Sequence, residues 1–132
     1  MARHVDIFIS TKQSLDELIK ELELVFKIRL KPLSEKSFFS YGFSLKENNA
    51  CEVGENWFVN GGEDSDLDFE IYEYILRVNP GLVHPKEKYE QQDKAARSIF
   101  EKLKATGKYR LMLIDDVQVK MDEFSPDTKS NQ

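Results

Sequence analysis

The sequence predicts an α+β fold: about five strands in a mostly antiparallel sheet, with two helices packed on one face, in the order β-α-β-β-β-α-β. Two segments carry apolar residues at helical spacing, and several others carry them at every second position. Glycine-, proline- and asparagine-containing turns separate the segments. A chain of 132 residues, 40% hydrophobic and 11% aromatic, suits one domain with one core, since domains commonly run to about 100–150 residues. The reading is one domain over residues 1–124 and a polar C-terminal tail over 125–132.

In chain order, Val5, Ile7 and Ile9 alternate with His4, Asp6 and Phe8, which predicts a strand with at least one buried face. Ser14 and Glu17 have capping-box spacing. Leu15, Leu18, Ile19, Leu22 and Val25/Phe26 follow as the apolar stripe of a helix, which must end before Pro32. The aromatic run Phe38–Leu45 and the segment Cys51–Val59 are the next two strands, with a turn over Lys46–Ala50. Asn60-Gly61-Gly62 is a turn. Leu67, Phe69 and Ile71 then alternate with Asp66, Asp68 and Glu70, after which the apolar parity slips to Tyr74, Leu76 and Val78. A bulge near Tyr72–Tyr74 accounts for that change of face. Pro85 suits the first position of a second helix, striped by Tyr89, Ala96, Ile99, Phe100 and Leu103 and capped by Gly107. Tyr109–Ile114 is the last strand. Val117–Phe124 fits strand and helix spacing alike.

The charge is unevenly placed. No lysine or arginine occurs between Lys46 and Arg77, an interval with nine carboxylates: Glu47, Glu52, Glu55, Glu63, Asp64, Asp66, Asp68, Glu70 and Glu73. That interval carries −9 and the remainder +4, giving the net −5. Segregated charge of this kind steers partners and raises association rates. A negative lobe repels phosphate backbones, which argues against nucleic acid as its partner. No apolar run approaches the roughly 20 residues that span a bilayer, and the opening residues are too acidic for a signal peptide. With a single cysteine, Cys51, disulfide stapling plays no part. The expected location is the cytoplasm.

Little in the chain carries chemistry. His4 and His84 lie far apart in sequence without a nucleophile motif, Cys51 has no partner cysteine, and a soft-ligand zinc site lacks donors. The acidic run fails as a calcium loop: counted from Asp64, the glycine position holds Phe69 and the terminal glutamate position Ile75. Ser65-Asp66-Leu67-Asp68-Phe69 resembles the nucleotidyltransferase signature, in which two alternating aspartates hold Mg²⁺. That resemblance implies a metal-dependent transferase using Asp66 and Asp68, with Asp115 or Asp116 as a third carboxylate. Three departures count against it. Gly61-Gly62 stands too close to Asp66, Trp57-Phe58-Val59 has strand rather than helix character, and no basic residues surround the site. The favoured expectation is no enzyme, no metal and no cofactor.

The favoured function is binding. Glu63, Asp64, Asp66, Asp68 and Glu70 are flanked by Trp57, Tyr72 and Tyr74, and tryptophan and tyrosine serve well as interface anchors. Carboxylates beside exposed tyrosines would complement a basic protein. Phe69-Glu70-Ile71-Tyr72-Glu73-Tyr74, with Ile99–Lys104 and Leu111–Asp116, resembles the texture of small acidic bacterial immunity proteins. That resemblance implies a non-enzymatic cytoplasmic inhibitor of a cognate toxin domain, commonly a basic nuclease. An adaptor or structural domain is the remaining alternative.

Overall fold

The computed structural model describes residues 4–44, 50–56, 71–80, 85–115 and 119–125 of the chain. Strand β1 (Val5–Ser10) leads into helix α1 (Leu15–Phe26), followed by β2 (Lys31–Pro32), β3 (Tyr41–Ser44), β4 (Ala50–Glu55) and β5 (Tyr74–Val78). Helix α2 (Pro85–Thr106), β6 (Arg110–Asp115) and β7 (Val119–Phe124) complete the order. The strands form one open, antiparallel sheet of seven, ordered β2-β3-β4-β5-β1-β6-β7. The α+β architecture with two helices is as predicted; the strand count is not.

The two extra strands have definite reasons. β2 is two residues long and ends in Pro32, too short for any periodicity to reveal. β7 pairs Ile114 with Lys120 but Leu113 with Asp122, so Met121 is left over as a bulge. An extra residue breaks the two-residue alternation, and this is why Val117–Phe124 matched two patterns. Residues 117 and 118 lie outside the described residues.

Helix α1 starts where the sequence says it should. The Ser14 hydroxyl accepts from the Glu17 amide and the Glu17 carboxylate accepts from the Ser14 amide, so both halves of the capping box form. The helix ends at Phe26, because Lys27 takes the left-handed conformation (φ 57°) and donates its amide to the Glu23 carbonyl. α2 begins at Pro85, and Gly107 beyond its end has φ 69°, a conformation that glycine adopts without steric cost. No helix among the described residues is long and apolar enough to cross a membrane.

Strand alternation gives the sheet two buried faces. On one, Val5, Ile7 and Ile9 of β1 join Leu76 and Val78 of β5 and Leu111 and Leu113 of β6 beneath both helices. Leu18, Ile19 and Leu22 of α1 and Ala96, Ile99, Phe100 and Leu103 of α2 complete that core. On the other face Phe8, Ile75, Met112 and Ile114 gather with Phe39 and Tyr72. The segment before β3 packs there: Leu33 donates its amide to the Ser40 carbonyl, and Ser40 donates its own to the Val53 carbonyl. Gly54 permits this approach, since a Cβ there would stand 3.0 Å from Phe39 Cα and 3.1 Å from the Ser40 nitrogen. Phe38, expected within a strand, is instead exposed.

Candidate protein-binding site

The acidic interval lies between β4 and β5 along the chain, and the described residues on either side of 57–70 are held together. The β4–β5 ladder runs from Cys51↔Val78 to Glu55↔Tyr74. One step further, the Asn56 amide donates to the Glu73 carbonyl at 2.9 Å, and Asn56 Nδ2 donates to the Tyr72 carbonyl at 2.8 Å. Asn56 therefore clamps the base of the excursion with both its backbone and its side chain. Residues 57–70, and with them Trp57, Glu63, Asp64, Asp66, Asp68 and Glu70 of the expected interface, lie outside the described residues.

Tyr72 and Tyr74 do not have the surface role expected of them. Both are buried, with relative exposures of 4% and 8%, so neither ring is an exposed anchor. They also lie on opposite sides of the sheet: Tyr74 in the helix-covered core, Tyr72 edge-on to Phe8 on the other face. The physical reason is that the ladder begins only at Tyr74, while Tyr72 and Glu73 precede it outside the strand and Ile71 sits in a single tight turn. The bulge expected near Tyr72–Tyr74 does not appear in the described pairing, which runs without a register shift from Tyr74 to Val78; the rings take opposite faces because Tyr72 precedes the strand, and both turn inward. The Tyr74 hydroxyl donates to the Gln13 carbonyl at 2.6 Å, which ties β5 to the β1–α1 loop.

Burial shifts both phenols above their ordinary value. For Tyr74 the neighbouring Glu55, Glu73 and Glu17 add to the effect of burial; for Tyr72 the Arg110 guanidinium opposes it. Both rings are thus neutral, apolar ballast that fixes the exit of the acidic segment. Exposed carboxylates mark the base instead. Glu55 and Glu73 face solvent, and Glu73 Oε1 accepts from the Thr11 amide at 2.9 Å. Glu52, a third member of the acidic interval, accepts from Asn79 Nδ2 at 3.1 Å. Beside Glu73, a cleft at the end of β1 is lined by Lys12, Lys108 and Arg110.

No group of three or more His, Cys, Asp or Glu side chains able to hold a metal occurs among the described residues. Cys51 is buried, and desolvation pushes its thiol up to about 12. It is therefore a thiol, not the nucleophilic thiolate, at neutral pH. Asp66 and Asp68 of the transferase reading, with Asp116 and His84, lie outside the described residues, and Asp115 is half-buried at the end of β6.

Asn56 is the residue at the base of the candidate site that sequence reasoning missed. An asparagine at a strand end carries no periodic signal, and its role depends on a backbone that folds back 16 positions later. Compared with protein-family models, with curated proteins and with solved structures, the chain gives no match in any of the three.

Proposed function

We propose that the chain is a non-enzymatic, protein-binding inhibitor of the immunity type, which neutralises a basic toxin domain through the acidic excursion between β4 and β5. The observation that carries this reading is the nine-carboxylate interval free of lysine and arginine, five of whose acids fall between Asn56 and Tyr72, which the clamp joins. A nuclease needs a positive surface to hold phosphate, and a dense run of carboxylates is complementary to such a surface. Complementary fields act mainly on association, lifting rates well above the ordinary ~10⁵–10⁶ M⁻¹s⁻¹. The clamp at Asn56 holds the two sides of this interval together at its base.

The burial of Tyr72 and Tyr74 refines this proposal. The contact surface consists of Glu63, Asp64, Asp66, Asp68 and Glu70, with Trp57 as its candidate aromatic anchor and Glu55 and Glu73 at its edge. The test is a paired capture experiment in the native host. Wild type and the triple variant Asp66→Asn, Asp68→Asn, Glu70→Gln are used as bait, and the partner's toxicity is scored on coexpression. Wild type should retain a basic protein and suppress its toxicity, and the folded triple variant should do neither. Retention of the same partner by both baits would sink the reading.

A further inference from the structure

A cleft of about 790 Å³ opens between the C-terminal end of α1 and one side of α2. Small-molecule sites commonly occupy about 300–1,000 Å³. Its floor is apolar: Phe26 and Ile28 from the α1 end, Ala95 and Ile99 from α2. Its rim is cationic, with Lys27 on one side and Lys94 and Lys102 on the other. Lys94, Ser98 and Lys102 are exposed and stand at i, i+4 and i+8, one row along the helix, while Ala95 and Ile99 form the buried row beside it. The Lys102 ammonium lies 5.8 Å from the centroid of the Phe26 ring.

Two features separate this cleft from an ordinary solvated helix face. No carboxylate lines it among the described residues, although acids outnumber bases in the chain by 24 to 19. Among the described residues, no ion pair holds Lys27, Lys94 or Lys102, so no side-chain carboxylate offsets the three charges on this rim. Three like charges around an apolar hollow repel one another and attract an anion with an apolar body.

We propose that this cleft binds a small apolar carboxylate, its head group among the three lysines and its body on Phe26, Ile28, Ala95 and Ile99. The rim narrows the choice of head group. Ammonium groups act as point charges, and among the described residues the lining has no arginine fork for bidentate recognition of phosphate. The helix end that borders the cleft is the C-terminal one of α1, which presents carbonyls rather than the amide donors of a phosphate site. A single carboxylate fits these conditions better than a phosphate dianion. The site lies on different elements from the acidic excursion and does not depend on the inhibitor reading.

The experiment titrates octanoate, octanol and octylammonium separately into the ¹⁵N-labelled protein and follows amide shifts. Octanoate should bind saturably, with shifts confined to residues 26–28 and 91–102, and about tenfold or more tighter than octanol. The double variant Lys94→Glu, Lys102→Glu should weaken octanoate binding by about tenfold or more. Both positions are exposed, so its spectrum should otherwise be native. Ser98→Trp, also at an exposed position, should block the cleft for octanoate while leaving the charges in place. Equal affinity for octanol or octylammonium, shifts scattered over the surface, or no binding would each overturn the proposal. So would octanoate binding that survives both variants.

Discussion

Asp6 is fully buried, and in the sheet register it stands opposite Arg77. The Arg77 guanidinium donates from Nε and Nη2 to its two carboxylate oxygens at 2.8 and 3.0 Å, and the same guanidinium lies 5.4 Å from the Phe39 ring centroid. Such a pair is costly to break from one side, because the remaining charge stays in a poor solvent. Asp6→Ala should therefore destabilise the domain by about 3–5 kcal/mol in urea unfolding, while an Asp6→Leu, Arg77→Met double replacement should recover most of that loss. A second residue-scale effect concerns alkali. Burial raises the Cys51 thiol from 9.0 and the Tyr109 phenol from 10.0, each to about 12. Between pH 9 and 12 the unfolded chain releases protons that the folded chain retains, so the unfolded state binds fewer and stability falls as pH rises. Below pH 9 these two groups contribute no slope. Urea midpoints measured from pH 8 to 11.5 should decline, and Cys51→Ala should shallow the part of that decline just above pH 9.

At the scale of elements, local rules explain what the sequence made visible. The capping box at Ser14 and Glu17 and the left-handed Gly107 involve residues within a few positions of one another, so their residue types alone announce them. Ser14→Ala should cost about 1 kcal/mol, measured by thermal unfolding. The alternation of Val5, Ile7 and Ile9 was equally legible, because its two-residue period survives in a strand of six. What could not be read depends on partners distant in sequence. The inward turn of Tyr72 and Tyr74 requires β5 to begin at Tyr74 rather than several residues earlier, and β4 and β1 set that point by their register. The bulge at Met121 exists only relative to β6. The clamp at Asn56 belongs to the same class. Asn56→Ala removes the donor to the Tyr72 carbonyl and should cost about 1 kcal/mol of local stability. Faster hydrogen exchange at the Asn56 amide, with α1 and α2 unaffected, is the expected signature. Exchange at wild-type rates would mean that the ladder alone closes the base.

For the whole molecule, the decisive property is where charge sits on a scaffold that buries both faces of its sheet. The acidic interval carries −9 while the remainder carries +4. The described positive side chains of that remainder lie largely on α2, the α1–β3 segment and the β6 end. Net charge alone, at −5, would predict only modest steering of a cation; the separation predicts more, because seven of the nine carboxylates fall between Glu55 and Glu73 with no lysine or arginine among them. Screening acts within about 10 Å at 0.1 M salt, so this advantage is felt only at close approach and fades as salt rises. The inhibitor reading therefore makes a kinetic prediction with a definite shape. For the wild type, the association rate with its basic partner should fall steeply between low and physiological salt, with dissociation nearly constant. The amide variant of Asp66, Asp68 and Glu70 removes three of the nine charges without changing side-chain size. Its association should be slower at low salt, and its salt dependence shallower, so that the two proteins converge as salt rises. Stopped-flow or surface-based kinetics at several salt concentrations measure this directly. Parallel rather than converging lines would place the steering charge elsewhere on the molecule, and a variant that changes only dissociation would make the carboxylates contact residues without a steering role.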